Sequence, residues 1–319
     1  MPQVDRIIAP VAAALSLALA ATSCSPNRGP EDVIDPSGSD QLVLDAVLIV
    51  GRPFPPIYLS RTSDPLGAFS FPRVAETGAQ LEIRSGGERV ATYSETGAAG
   101  TYDWRGSPVF DVVMAETEYE VIATTADGRT VRGSTVTPPH FSVREWLLLA
   151  DDGESVRDTL ATFEEAGGTA FARNNVVYAD GVLEARFDRP DVPAFQVAVR
   201  NLEESSPLLV DPDFLSDEDL ANLERSLSSP PLVADDSTLR LPWLAIYYEG
   251  RTMIRVHAVD RNWFDLIRST PGLDNGPGAF AFGGNLGEGF EQPVFHIDGG
   301  IGLVGSASTD SLGFTVTAP

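Results

Sequence analysis

The sequence predicts a mainly β protein, with an N-terminal antiparallel β-sandwich followed by a second β-rich domain with short helices. Many short runs alternate apolar and polar residues, which is typical of strands that bury one face. The 29 glycines and 24 prolines are spread along the chain and favour many turns over long helices. A hydrophobic content of 43% indicates a globular chain rather than a disordered one.

The first predicted module consists of short strands separated by turn residues. Gly86-Gly87 and Asp127-Gly128 lie between alternating runs, and Asp-Gly in that position is a strong hairpin signal. Several such strands within about a hundred residues predict an antiparallel sandwich. The predicted strands cover 42–50, 57–62, 79–85, 88–94, 101–104, 118–125 and 129–136.

The second predicted module mixes strands with helices. The capping-box pattern Ser155–Asp158 predicts a helix through 166 that Gly167-Gly168 ends. A second box at Ser216–Asp219 predicts a helix over 220–227, and Asp260 is expected to cap a helix over 262–269. Strands are predicted at 182–187, 195–202, 238–250, 252–259, 293–297 and 314–318, with Glu249-Gly250-Arg251 as the turn of a long hairpin.

Composition changes along the chain predict four segments. Residues 1–23 are interpreted as a lipoprotein signal peptide, and the Pro-, Ser- and acid-rich residues 24–40 as a flexible tether. Residues 41–138 form the predicted sandwich and 139–319 the second domain. The boundary is placed after Thr137-Pro138, where a proline pair cannot continue a strand ladder.

The N-terminus predicts export and lipid attachment. Arg6 precedes the apolar run Ile7–Ala20, which is shorter than the roughly 20 residues that a spanning helix needs. Ala21-Thr22-Ser23-Cys24 resembles a lipobox, in which the cysteine is acylated and becomes the new N-terminus. We therefore predict Cys24 as the lipid attachment site and, from Ser25, an outer-membrane location. The alternative is an ordinary secretory signal with a stray cysteine.

Charge and residue usage exclude several kinds of partner and site. A net charge of -24, with arginine as the only basic side chain, argues against nucleic acid as a partner. His140, His257 and His296 lack the spacing of a zinc site. The sequence has no G-x-S-x-G motif, although a dispersed triad or carboxylate pair stays possible.

Three further patterns have structural interpretations. Gly300–Gly305 spells G-x-G-x-x-G, but too few residues follow for a nucleotide-binding βαβ unit. We therefore interpret these glycines as part of an irregular strand rather than as a phosphate-binding loop. The acids between Asp211 and Asp219 lack calcium-loop spacing and suit a helix N-terminus. Most of Trp104, Trp146, Trp243 and Trp263 are expected in the core, with sugar stacking as the alternative. The sequence thus predicts no catalytic, cofactor-binding or metal-binding residue.

The strands of both modules resemble a family of outer-membrane lipoproteins of Bacteroidota, the domain of unknown function 4249 (DUF4249) family. The resemblance spans most of the mature chain, and it implies an Ig-like or carboxypeptidase-regulatory-like sandwich and a companion role beside TonB-dependent transporters. It carries over no catalytic residue, only the lipid-bearing Cys24. The residues that carry it are Leu42–Ala46, Pro56–Thr62, Thr77–Ile83, Gly100–Tyr102, Asp260–Ser269 and Gly299–Ser308.

Three functions are therefore compared. The leading hypothesis is a non-catalytic, lipid-anchored accessory or binding protein of the outer membrane, partnered with a TonB-dependent transporter. The second is a surface-anchored hydrolase acting on polysaccharide or peptide. The third is a structural, adhesin-like envelope protein.

Overall fold

The computed structural model describes residues 40–63, 70–106, 111–179, 181–209, 225–234, 237–242, 246–269 and 293–319. From Gln41 to Pro319 the chain forms one compact unit. Most of the described residues lie in strands, and these form one large sheet and one four-stranded sheet with a few short helices. The prediction of a mainly β fold is confirmed.

The first half of the unit is an antiparallel sandwich. Its sheet path runs β1-β2-β5-β4-β3-β6-β7, and every pair along that path is antiparallel. Alternate residues of the strands point into one shared core, as Leu44, Ile83 and Val121 do. A sheet whose two halves bury side chains in one core is folded over on itself. The elements are β1 (Leu42–Ile49), β2 (Ile57–Arg61), helix α1 (Phe71–Val74), β3 (Gln80–Ser85), β4 (Glu88–Glu95), β5 (Thr101–Trp104), β6 (Glu118–Thr124) and β7 (Thr130–Val136).

The second half adds a small sheet, a set of helices and the rest of the large sheet. Its strands are β8 (Val143–Leu149), β9 (Val156–Leu160), β10 (Asn175–Val177), β11 (Val182–Phe187), β12 (Ala194–Asn201), β13 (Ser226–Ser228), β14 (Thr238–Pro242), β15 (Gly250–Val259), β16 (Ile297–Asp298) and β17 (Gly300–Thr317). Its helices are α2 (Phe163–Ala166), a 3-10 turn (Gly167–Thr169), α3 (Ala170–Arg173) and α4 (Arg261–Ser269). The small sheet has the order β14-β11-β8-β9 and packs on the β12-β15-β17 part of the large sheet.

Strand β17 belongs to both halves. It pairs parallel with β1, from Leu42 opposite Gly300 to Ile49 opposite Ala307, and antiparallel with β15 further along. Val304 lies in the core of the first half, whereas Leu312 lies in the core of the second. The predicted boundary near residue 138 stays a prediction, but one strand contributes to the cores on both sides of it.

Glycine is required where β17 meets β1. Gly302 has a φ of +121°, and a Cβ built on it would lie 2.3 Å from the carbonyl oxygen of Leu44. Only a residue without a side chain allows that backbone conformation and that approach. The predicted strand glycines of the G-x-G-x-x-G segment are confirmed, because the segment lies inside β17 and no helix opens at Gly305.

A buried carboxylate fastens the two halves beside this strand. Asp260 caps α4 as predicted, since its Oδ1 accepts a hydrogen bond of 2.9 Å from the Trp263 amide. Its Oδ2 accepts hydrogen bonds from the hydroxyls of Thr135 on β7 and Ser306 on β17. Burial, the largest influence, raises the pKa of Asp260, and the hydrogen bonds from these groups act in the opposite direction.

The helix predicted from the Ser155–Asp158 pattern is wrong in its start, whereas its last turn, Phe163–Ala166, is helical and ends at Gly167 as predicted. Residues 156–160 form strand β9, which pairs with β8. The hydroxyl of Ser155 donates to Asp152 at 2.5 Å in the β8–β9 turn, so it does not cap a helix. The capping box is at Thr162 and Glu165 instead, one short turn before the predicted helix ends.

The long hairpin predicted around Glu249-Gly250-Arg251 is also wrong. Strand β14 pairs with β11 in the small sheet, whereas β15 begins at Gly250 and pairs with β12 and β17 in the large one. Two alternating runs that are adjacent in sequence therefore enter different sheets. The β6–β7 hairpin is confirmed, with Gly128 at a φ of +88° in its turn. The helix predicted over 220–227 lies mostly outside the described residues, and its last two residues are not helical, because Ser226–Ser228 form β13.

Candidate functional site

A polar cleft opens on the outer face of the sandwich, at the corner where β4 leaves β3. We call it the corner cleft, and its volume is about 410 Å³. That volume lies within the range of small-molecule sites in proteins. Its polar lining consists of Gln80 and Glu82 of β3, Arg89, Thr92 and Ser94 of β4, and Thr124 of β6.

The opening follows from the path of β4, which pairs with β3 along its first part and with β5 along its last part. The ladder between β3 and β4 begins at Glu82 opposite Thr92 and continues toward their common turn. At Tyr93 the strand begins to pair with β5 on its other side. The two strands therefore separate beyond Glu82 and leave a gap between them.

Side chains close the far end of this gap. Glu95 accepts a hydrogen bond of 2.9 Å from the amide of Gly78, just before β3. The hydroxyl of Tyr102 accepts one of 3.1 Å from the amide of Ala79 and donates one of 2.8 Å to the carbonyl oxygen of Glu76. The corner cleft is thus bounded by a strand ladder at one end and by side-chain bridges at the other.

The inner wall of the cleft is formed by core residues. Leu81 and Tyr93 reach it from the sandwich core, where both are buried. The Tyr93 hydroxyl donates to the carbonyl oxygen of Pro55 at 3.0 Å, and burial raises the pKa of this phenol. The packing of these two side chains in the core supports the outward-facing groups of β3 and β4.

The charges in the cleft compensate one another. The Glu82 carboxylate accepts a hydrogen bond of 2.6 Å from Nε of Arg84, and the guanidinium of Arg89 lies 3.6 Å from its other oxygen. Arg89 is largely exposed, and its contact with Glu82 exceeds hydrogen-bond length. Glu82 is the one carboxylate among the lining residues of this cleft.

The remaining lining groups are neutral. The amide of Gln80 and the hydroxyls of Thr92, Ser94 and Thr124 can each donate and accept hydrogen bonds. Ile122 supplies an apolar surface among them. The cleft can therefore bind and orient a polar solute.

None of the three histidines lines the corner cleft. His140 is exposed after the proline pair. His257, on β15, bonds to Thr309 at 2.7 Å and stacks on Trp263, with ring centroids 5.7 Å apart. Burial, helped by Arg255, lowers the pKa of His257 to about 4, so its ring is neutral at physiological pH.

His296 takes part in a cluster on helix α4. Its Nε2 lies 3.0 Å from Oδ2 of Asp265, a carboxylate that also accepts 2.9 Å hydrogen bonds from Arg261 and Arg268. Burial alone would raise the pKa of Asp265, but these three partners outweigh it and hold the pKa below its ordinary value. Three donors on one carboxylate fasten the segment before β16 to α4, so we interpret the cluster as structural.

The tryptophans divide between core and surface. Trp146 is fully buried in the second core, whereas Trp104 and Trp263 are partly exposed. Trp104 packs on Phe54 and Trp263 on His257. Cys24, Trp243 and the acids between Asp211 and Asp219 lie outside the described residues.

Two further findings concern the described ranges alone. No group of three or more histidine, cysteine or acidic side chains is arranged there to hold a metal ion. Nor does any helix in those ranges have the length and apolar character that crossing a membrane requires.

Sequence reasoning missed the corner cleft. Alternation along β3 and β4 identifies Gln80, Glu82, Thr92 and Ser94 as outward-facing polar residues, which is the signal available in the sequence. It does not reveal that β4 changes partners at Tyr93, and that change creates the opening.

Comparison with known proteins gives one family. Residues 31–169 match the model of the domain of unknown function named DUF4249. The matched region covers the whole sandwich, including the corner cleft, and extends to the 3-10 turn that precedes α3. No curated protein matches the chain.

Proposed function

We propose that the whole chain is a DUF4249 lipoprotein, anchored in the outer membrane by a lipid on Cys24, that acts there as a non-catalytic accessory or binding protein. Its proposed partner is a TonB-dependent transporter, as the resemblance to this family implies. The match over residues 31–169 supports the family assignment for the sandwich.

One observation carries the proposal, and it is the position of Cys24. The single cysteine of the chain follows an apolar run of export length and small residues, in a sequence that resembles a lipobox. The compact unit begins at Gln41, so residues 25–40 lie between the proposed lipid and the fold. Their composition suits a tether, and acylation would use up the one thiol.

The geometry of the corner cleft favours binding over two-carboxylate hydrolysis at that place. Glycoside hydrolases pair two carboxyl groups about 5–10 Å apart across the scissile bond. Among the residues that line the cleft, only Glu82 carries a carboxyl group, and Arg84 and Arg89 share it. We therefore propose no reaction for this site.

The anchor is tested by Cys24→Ser in the full chain, expressed in a bacterium that processes lipoproteins. Wild type is expected to take up labelled palmitate and to sediment with outer-membrane vesicles, whereas Cys24→Ser does neither. Ser37→Ala, in the same predicted tether, serves as the matched control and behaves as wild type. A Cys24→Ser protein that still carries palmitate contradicts the anchor.

The partner is tested by affinity purification of the wild-type chain from detergent-solubilised envelopes. We expect mass spectrometry to recover a TonB-dependent transporter with wild type, and recovery to fall strongly with Cys24→Ser. Recovery of no envelope protein would refute the accessory role while leaving the anchor intact.

A further inference from the structure

We infer that the corner cleft binds a neutral saccharide. This inference deepens the proposed function and rests on it for the supply of such a ligand at the cell envelope. It is argued from three properties of the cleft, namely its charge, its closed ends and the kind of hydrogen-bonding groups that it presents.

Charge argues for a neutral ligand. Arg84 and Arg89 share the carboxylate of Glu82, so the negative charge that lines the cleft is already paired and does not attract a cation by itself. The chain as a whole carries a net charge of -24, which repels anionic solutes at long range. A ligand without net charge needs no unpaired charge in the cleft and is not repelled by the net charge of the chain.

The closed ends argue for a compact ligand. An extended peptide that adds to a sheet needs a continuous open edge along which its main chain can pair. Here the β3–β4 ladder closes one end at Glu82 and Thr92. The bridges from Glu95 and Tyr102 close the other. A strand therefore has no path through the gap, whereas one or two sugar rings fit a volume of about 410 Å³.

The lining groups match a polyol. Neighbouring hydroxyls of a sugar each donate and accept, and Gln80, Thr92, Ser94 and Thr124 do the same. Glu82 can accept and Arg89 can donate where a stronger, charge-assisted bond is needed. Ile122 offers an apolar surface for the C–H face of a ring. Because no open aromatic ring lines the cleft, we expect an affinity that is weak, in the millimolar range.

The test uses the full chain carrying Cys24→Ser, so that lipid and detergent are absent. Binding of glucose, N-acetylglucosamine and cellobiose is followed by saturation-transfer NMR and by amide shifts of an isotope-labelled sample. Glucuronate and triglycine serve as charged and peptide probes. We expect at least one neutral sugar to bind and to shift amides of β3 and β4.

Substitutions locate the site. Thr92→Val and Ser94→Ala each remove a hydroxyl with little change in volume, and each is expected to weaken sugar binding by about three- to tenfold. Ser134→Ala is the matched control, because Ser134 is exposed on β7 of the same sandwich and does not line the cleft. This control variant is expected to bind as wild type does.

Each other outcome overturns the inference. It fails if no neutral sugar binds at 50 mM, if binding is equal in Thr92→Val, Ser94→Ala and wild type, or if triglycine or glucuronate binds in place of the sugars. These results are separate from the fractionation of Cys24→Ser. If the chain is lipidated but binds no sugar, only the saccharide inference is refuted. If it binds a sugar but is never acylated, only the lipid anchor is refuted.

Discussion

At the scale of single residues, Asp260 shows how one buried carboxylate stabilises several elements. It caps α4 through the Trp263 amide and accepts hydrogen bonds from Thr135 and Ser306, on strands from the two halves of the unit. Asp260→Ala removes the cap and removes the carboxylate that accepts from two buried hydroxyls, which then keep their contact of 2.7 Å with each other. We expect the free energy of unfolding to fall by about 2–4 kcal/mol, measured by urea denaturation. A loss below about 0.5 kcal/mol would contradict this role.

The same residue predicts a pH dependence. Burial raises the pKa of Asp260 above its ordinary 3.8, so the folded state keeps the proton to higher pH than the unfolded state does. The contribution of this group to stability therefore falls as pH rises from about 3.8 through the folded pKa. Asp260→Asn keeps a good capping residue and does not titrate. We expect urea denaturation at several pH values to show that the free energy of unfolding of Asp260→Asn rises relative to that of wild type as pH rises. A difference in unfolding free energy that does not change with pH would contradict this dependence.

At the scale of elements, Asn174 connects the short helices to β17. Its side chain is buried and bonds to the amide and the carbonyl of Ala161 and to the carbonyl of Gly313. Asn174→Ala is expected to cost about 2–3 kcal/mol, because three buried backbone groups lose their partner. The neighbouring Asn175 is exposed, so Asn175→Ala is the matched control.

Hydrogen exchange distinguishes a local from a global effect of Asn174→Ala. In this variant, the exchange rate of the Ala161 amide is expected to rise more than the rates of amides in β11 and β12, because the Ala161 amide has lost its acceptor. Exchange at Ala161 that matches that of wild type would show that the side chain does not hold the helices in place.

A second element-scale prediction concerns the contact between β1 and β17. Gly302→Ala places a methyl group against the carbonyl oxygen of Leu44 in a backbone conformation that alanine rarely adopts. We expect a loss of more than about 3 kcal/mol in the free energy of unfolding. Gly97→Ala is the control, because a Cβ there meets nothing within 4 Å. Equal stability of the two variants would contradict the tight approach.

The elements also show what sequence patterns can and cannot predict. The strands of the sandwich follow from local alternation, and Asp260 follows from helix-capping chemistry, so both were predicted. The predicted start of a helix at Ser155 was wrong because a hairpin turn uses the same serine hydroxyl. The hairpin at Gly250 was wrong because the choice of sheet depends on distant partners. The corner cleft depends on the changing partners of β4, which no local pattern contains.

At the scale of the whole molecule, β17 predicts cooperative unfolding. Val304 and Leu312 lie on the same strand but in different cores. We expect a single urea transition, with coincident curves from tryptophan fluorescence and circular dichroism. Val304→Ala and Leu312→Ala are both expected to shift that one transition, by about 1–4 kcal/mol each. Two separated transitions, each sensitive to one variant, would instead show two independent halves.

The pairing of β1 with β17 also sets the order in which the protein can be made. Leu42 leaves the ribosome long before Gly300, its partner in the parallel pair. Until the residues of β17 emerge, one edge of β1 has no neighbour and both cores lack side chains. A nascent chain therefore stays incompletely folded until the residues of β17, Gly300–Thr317, have been synthesised and can pair with β1.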